Sequence, residues 1–183
     1  EQRECRRQAR PILESLMAAT GETAVVAVLR ATKVIYMDGV DTDRTIRAVS
    51  RVGAMLPAHC TAVGKMQLAF LPQSEIERLY PEQNLEQVTS KTHRTREALV
   101  ADLAAIRTKG YAVENEECDL DVKGVAAPVR DFSKNVIAAV GIIAPATRLT
   151  DERIEQGEIA SRVRDAANAI SAKLGYLHTP SRS

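Results

Sequence analysis

The stretch RVGAMLPAHCTAVGKMQLAFLP, residues 51–72, contains a proline-bounded helix near the middle of the chain. Its second half, Thr61 to Leu71, has apolar side chains that favour a helix. Pro72 ends that helix, because the residue before a proline is disfavoured in the helical conformation. We therefore predict a helix over 61–71 and interpret the flanking segments outward from it.

Upstream of this helix, the sequence predicts one helix followed by three strands. Residues 1–20 carry an apolar stripe and are followed by Gly21, a typical C-terminal helix stop. Val25–Leu29 and Val34–Asp38 are short β-branched runs at hairpin spacing, and Thr45–Val52 alternates loosely like a third strand.

Downstream, the first two predicted elements are helices. Ser74-x-x-Glu77 has the pattern of a capping box that opens a short helix before Pro81. Thr95–Lys109 has leucine and isoleucine at helical spacing, and Gly110 ends it.

The last part of the chain predicts three strands and a long helix. A strand over 111–116 precedes two apolar runs, 122–130 and 135–143, whose short polar connection predicts an antiparallel hairpin. Thr150 then caps a helix that continues to about Leu174. The resulting fold class is α+β, with a largely antiparallel sheet of about six strands flanked by helices.

Composition limits the function. The 183 residues suit one globular domain, and 25 Lys and Arg against 24 Asp and Glu give a net charge of +1. This balance disfavours direct DNA binding by this chain. Three cysteines without a C-x-x-C pair disfavour a disulfide framework or a zinc site. No stretch is long and apolar enough to span a bilayer, so we expect a soluble, cytoplasmic protein.

Familiar catalytic and cofactor motifs are missing. The sequence contains no G-x-G-x-x-G, G-x-S-x-G or H-E-x-x-H, so we predict no cofactor, no metal and no catalytic residues. One alternative is a small cytoplasmic hydrolase or isomerase that uses Cys60 and His59. Two charged groups also have two interpretations each. An acidic run, 114–121, either binds a cation or is a solvated turn, and the arginines of the first helix either touch DNA or form a solvated face.

Residues 51–72 resemble the signature of the effector-binding domain of IclR-family transcriptional regulators, with a proline, then His59, and Gly64-Lys65 opening an apolar helix. The stretch GYAVENEECDLDVKGVAAPVRDFSKNVIAAVGIIAPATRLTDERI, residues 110–154, is similar to the second half of that domain. The resemblance covers about residues 10–176 in the expected order. It implies a GAF-like sensor domain that binds a small organic effector and self-associates as a dimer or tetramer.

The resemblance also implies a domain organisation and a ligand site. Residues 1–21 correspond to a linker helix, 22–176 to the effector-binding domain and 177–183 to a loose tail. Operator DNA would be bound only through a helix-turn-helix domain upstream of this chain. The family's effector cavity matches nine residues here: Ala48, Leu56, Ala62, Val63, Glu114, Val122, Gly124, Gly141 and Ile143.

Three of these positions depart from the pattern of relatives that bind small keto acids. Those relatives carry a cysteine at Gly124 and serines at Gly141 and Ile143. The missing polar groups predict a larger or more apolar effector, such as an aromatic acid, a lactone or a longer carboxylic acid. For the helix start at 61–64, we expect free backbone N–H groups that suit a ligand carboxylate.

Overall fold

The computed structural model describes residues 1–177 and shows six strands and six α-helices within them. In chain order the elements are α1 (Gln2–Thr20), β1 (Thr23–Arg30), β2 (Lys33–Val40), β3 (Met55–Pro57), α2 (Ala62–Leu68), α3 (Gln73–Leu79), α4 (Arg96–Lys109), β4 (Ala112–Asn115), β5 (Val122–Arg130), β6 (Val136–Pro145), α5 (Asp151–Glu155) and α6 (Ile159–Lys173).

The six strands form one sheet in the order β3-β2-β1-β6-β5-β4, and every neighbouring pair is antiparallel. The β1–β2 and β5–β6 hairpins are the ones that the apolar runs predict. Strand β6 pairs with both β1 and β5, so Gly141 lies opposite Val25 on one side and Ala126 on the other. The predicted α+β class and the number of strands are confirmed.

Alternation along the central strands supplies an apolar core on each face of the sheet. Val140 and Ile142 of β6 pack in the cluster that α1 and α6 cover, whereas Ala139 and Ile143 face the cluster of α2 and α4. Helix α2 lies directly on the sheet, and all seven of its residues are buried. This packing fixes the start of α2 against the ends of the central strands.

Several predicted helix ends agree with the structure. Gly21 and Gly110 follow α1 and α4 in the left-handed conformation, at φ of 71° and 80°. Thr95 caps α4 by accepting a hydrogen bond from the N–H of Ala98. Within residues 1–177, no helix is both long and apolar enough to cross a bilayer.

The predicted strand at Thr45–Val52 is wrong. These residues form no strand, and β3 is only three residues long and lies further on. Ile46, Val49 and Val52 are exposed rather than alternately buried. Side-chain hydrogen bonds hold the segment in place, since Thr23 donates to the carbonyl of Ala48 at 2.6 Å.

Three predicted helices also differ in detail. Helix α2 ends at Leu68, three residues before Leu71. Ser74 lies inside α3, which begins after Pro72 without a side-chain cap, so the capping box is not formed. The terminal helix is two helices, α5 and α6, because Glu158 adopts a φ of 72° between them.

Helix α1 belongs to the same apolar cluster as α6, through Cys5, Ala9, Leu13 and Leu16. The division between a linker helix, residues 1–21, and an effector-binding domain that begins at residue 22 stays a prediction. Of the predicted loose tail, 178–183 lie outside the described residues.

Candidate functional site

A cavity of about 230 Å³ opens between the segment 41–54, the start of α2 and the ends of β4, β5 and β6. Most of its wall is apolar, and its polar groups are few. Such a cleft has the character of a small-molecule site. The lining residues are Tyr36, Arg47, Ala48, Val49, Arg51, Leu56, Thr61, Glu114, Cys118, Asp119, Val122 and Ile143.

The start of α2 at this cavity is already capped by protein side chains. Thr61 is the N-cap residue, and its Oγ1 accepts a hydrogen bond from the N–H of Gly64 at 3.1 Å. The N–H of Ala62 donates to Oε1 of Glu114 at 3.1 Å. The expectation that these two N–H groups are free for a ligand carboxylate is therefore wrong.

Glu114 is a buried carboxyl group rather than a solvated strand end. It lies on β4 and is only 4% exposed. Burial raises its pKa to about 7, against the opposing effect of the hydrogen bond from Ala62, and the nearby carboxylate of Glu117 raises the pKa further. At neutral pH this group therefore changes readily between an acceptor-only carboxylate and a carboxylic acid that can also donate.

Five of the nine predicted site residues border the cavity, namely Ala48, Leu56, Glu114, Val122 and Ile143. The other four are not among the lining residues. Ala62 contributes its N–H to Glu114, and a Cβ at Gly124 would lie 2.8 Å from Oε1 of Glu114. Val63 packs in the apolar cluster beneath α2, and Gly141 pairs with Ala126 in the sheet. A role in ligand binding for each of the nine stays a prediction.

Six lining residues escaped the sequence reasoning, and Thr61 was expected at the site only as part of the helix start at 61–64. Arg47, Val49 and Arg51 lie on the segment that its alternation assigned to a strand. For Tyr36 and Thr61 a signal was present, because Tyr36 alternates with Val34 on the buried face of β2 and Thr61 precedes an apolar helix. Nothing in the sequence around Cys118 and Asp119 distinguishes a cavity wall from a turn.

Beside the cavity, the buried ammonium group of Lys65 binds two carboxylates, of which Glu117 belongs to the acidic run. Nζ of Lys65 donates to Asp102 at 2.8 Å, to Glu117 at 2.9 Å and to the carbonyl of Val113 at 2.8 Å. Its pKa is raised because these two carboxylates outweigh the effect of burial, which alone would lower it. Nε2 of His93 lies 2.8 Å from the same oxygen of Asp102.

This cluster also bears on whether the acidic run binds a metal ion. Among residues 1–177, His93, Asp102 and Glu117 are the group whose donor atoms are close enough together to hold a metal ion, all lying within 4.8 Å. The ammonium of Lys65 binds the carboxylate oxygens that a metal would need. A lysine side chain therefore supplies the cation at this position.

The geometry of Cys60 and His59 does not suit nucleophilic catalysis. The thiol of Cys60 is fully buried and donates to the carbonyl of Pro57 at 3.6 Å. Contact with Cys118, together with burial, raises its pKa far above the ordinary value, opposite to what an activated thiol requires. Nε2 of His59 is engaged with the carbonyl of Glu86 at 2.7 Å.

Comparison with known proteins agrees with this architecture. A family model described as "Bacterial transcriptional regulator IclR C-terminal" matches residues 1–172. The chain belongs to this IclR C-terminal family. It is 34% identical over 164 residues to the HTH-type transcriptional regulator BhcR of Paracoccus denitrificans, which covers 90% of the chain and 58% of that regulator.

Two solved structures of IclR proteins share the fold. The crystal structure of IclR from Thermotoga maritima matches with a TM-score of 0.87 and 34% identity, covering 94% of this chain and 69% of that one. An IclR homologue from Microbacterium hydrocarbonoxydans, crystallised with 4-hydroxybenzoate, matches with a TM-score of 0.84 and 25% identity over 95% and 69% of the two chains.

These IclR relatives are transcriptional regulators rather than enzymes, which confirms the expectation that this domain is not an enzyme. The chain spans about three fifths of the Paracoccus regulator.

Proposed function

We propose that this IclR C-terminal domain senses an organic acid that binds in the cavity beneath the segment 41–54. The observation that carries the proposal is a largely apolar cleft with the buried carboxyl group of Glu114 in its wall. Gly124, beside Glu114, and Ile143 add no hydrogen-bonding side chain. A wall of this kind favours an aromatic or longer acid over a small keto acid, whose polar groups would lose their hydrogen-bond partners.

The structure of the Microbacterium relative with 4-hydroxybenzoate supports an aromatic acid as the first candidate. The cavity volume of about 230 Å³ has room for a molecule with a single ring. In the full-length protein, occupancy of the cavity would control operator binding by a helix-turn-helix domain. Such a regulator acts on DNA in the cytoplasm.

A thermal-shift panel tests this function. Hydroxybenzoates, longer dicarboxylic acids, lactones, glyoxylate and pyruvate are each added to the purified domain, and the unfolding temperature is recorded. A ligand that binds only the folded state must raise that temperature. We expect a rise with at least one aromatic or longer acid and a smaller rise with glyoxylate and pyruvate. Stabilisation by glyoxylate or pyruvate alone would contradict the proposed ligand class.

Self-association is a second part of the proposal. Five large apolar side chains that line the cavity or adjoin its lining residues in sequence are exposed: Ile46, Val49, Val52, Met55 and Leu120. Where exposed apolar side chains form one patch, the surface commonly marks an association site. Sedimentation at micromolar concentration should show dimers or larger species. A double substitution of Ile46 and Val52 by Asp should shift the distribution toward monomer, whereas a purely monomeric wild-type domain would contradict self-association.

A further inference from the structure

The position where a ligand carboxylate would be expected at α2 is held by the protein's own carboxyl group. A helix start attracts anions because its N–H groups lack partners within the helix. In this chain Oε1 of Glu114 accepts the N–H of Ala62 at 3.1 Å, and Thr61 accepts the N–H of Gly64. A ligand carboxylate placed there would lie beside the carboxyl group of Glu114, and these two N–H groups already have acceptors.

Among the described lining residues, no basic side chain lies at this inner end of the cavity to offset a second negative charge. Lys65 is the nearby ammonium group, but its donors are engaged with Asp102, Glu117 and the carbonyl of Val113. A buried carboxylate without a counter-ion is costly. The inner end therefore suits a ligand group that donates a hydrogen bond to Glu114, such as a hydroxyl or an amine.

The positive charge of the cavity lies at its mouth. Among the described lining residues, Arg47 and Arg51 are the basic ones, and both belong to the exposed segment 41–54. Arg51 pairs with Asp119 at 3.4 Å, with both side chains about half exposed. An exposed pair of this length contributes little to stability, so the guanidinium can exchange Asp119 for a ligand carboxylate.

We propose that this chain binds its effector with the carboxylate outward: a hydroxyl or amine contacts Glu114, and the carboxylate contacts Arg51 and Arg47 at the mouth. The apolar wall of Leu56, Val122 and Ile143 contacts the middle of the ligand. This inference rests on the proposed function and narrows it to acids whose donor and carboxylate lie at opposite ends. Hydroxy-substituted aromatic acids are the simplest members of this class.

Calorimetric titration with three probes tests the orientation. The probes are 4-hydroxybenzoate, benzoate, which lacks the hydroxyl, and methyl 4-hydroxybenzoate, which lacks the negative charge. The wild-type domain should bind 4-hydroxybenzoate about tenfold more tightly than benzoate, as expected for a hydrogen bond to a charged group. The Glu114→Gln variant should reduce this preference, because a neutral amide NH₂ that donates to the phenol oxygen replaces a stronger, charge-assisted hydrogen bond to the carboxylate.

The same probes test the contact between the ligand carboxylate and Arg51 at the mouth. Arg51→Gln should weaken 4-hydroxybenzoate about tenfold and weaken the methyl ester much less. Arg44→Gln is the matched control, because it removes a charge from the same segment, but its side chain contacts the carbonyl of Gly21 rather than the cavity. Circular dichroism establishes that each variant is folded.

The reverse orientation gives opposite results. If the carboxylate points inward, Glu114→Gln strengthens the binding of both acids, and Arg51→Gln affects acid and ester alike. Either result would overturn the inference while the proposed function stands. If none of the three probes binds, the inference is overturned as well, and the wider panel of acids and lactones decides the proposed function separately.

Discussion

Among single residues, Glu114 is a carboxyl group whose acidity is strongly changed by its surroundings. Its carboxyl group accepts the N–H of Ala62 and faces two further acids, Glu117 and Asp119, with Lys65 and the buried hydroxyl of Tyr36 nearby. Its pKa of about 7 lies well above the ordinary value of 4.5. A pKa raised by folding means that the folded state retains a proton that the unfolded state has already lost.

This proton makes stability depend on pH. Below pH 4.5 Glu114 is protonated in both states, and its contribution to stability is complete. As the pH rises from 4.5 to 7, we expect the free energy of unfolding to fall by about 3 kcal/mol because of this residue. Urea unfolding across pH 4 to 8 should show that fall in the wild-type domain and not in Glu114→Gln. The exposed Glu82→Gln is the control, and an equal fall in both Gln variants would contradict this assignment.

A second prediction concerns the contribution of Lys65 to stability. Replacing it by methionine keeps most of the buried volume but leaves Asp102 and Glu117 without their cation. Removing one partner of a buried ion pair costs about 3–5 kcal/mol. The control is Lys123→Met, because Lys123 pairs with the exposed Asp151 and should cost less than about 1 kcal/mol. Equal midpoints of urea unfolding for the two variants would show that the Lys65 cluster is not stabilising.

At the scale of elements, close packing of β6 on β5 leaves no room for a side chain at Gly141. A Cβ there would lie 2.3 Å from the carbonyl oxygen of Val125, which belongs to the backbone of the neighbouring strand. At Gly124 the nearest atom, at 2.8 Å, is the movable carboxyl of Glu114. We expect Gly141→Ala to cost about 1–3 kcal/mol, as overpacking usually does, and Gly124→Ala to cost less. Chemical denaturation of both variants measures this difference, and the reverse order would contradict it.

Local sequence predicts the elements whose ends have strong signals. Helices α1 and α4 are followed by glycines in the left-handed conformation, and the β5–β6 hairpin follows from its two long apolar runs. The prediction of a strand at Thr45–Val52 is wrong because its apolar side chains do not alternate between a core and solvent. Instead, the segment contributes to the cavity wall and to the exposed surface. The break before α6 was missed although Gly157, directly before Glu158, is a residue that weakens a helix.

At the scale of the whole molecule, the sequence predicts the sheet more completely than the site. Ala48, Leu56, Val122 and Ile143 border the cavity as the family resemblance implies, but they come from four separate segments. The hydrogen bond from Ala62 to Glu114 joins residues 52 positions apart, and no local pattern reveals it. The same distance in sequence separates Lys65 from Glu117. Long-range polar contacts therefore decide the chemistry of the site, and only the folded chain shows them.

We propose that an organic acid binds in the cavity beneath the segment 41–54. The most direct measurement is calorimetric titration of the best ligand from the acid panel into wild type, Ala48→Phe and Ala18→Phe. Ala48 lines the cavity, so a phenyl ring there fills it, whereas Ala18 lies on the exposed face of α1. We predict one ligand per wild-type chain, at least tenfold weaker binding by Ala48→Phe and unchanged binding by Ala18→Phe. Unchanged affinity in a folded Ala48→Phe domain would contradict the claim.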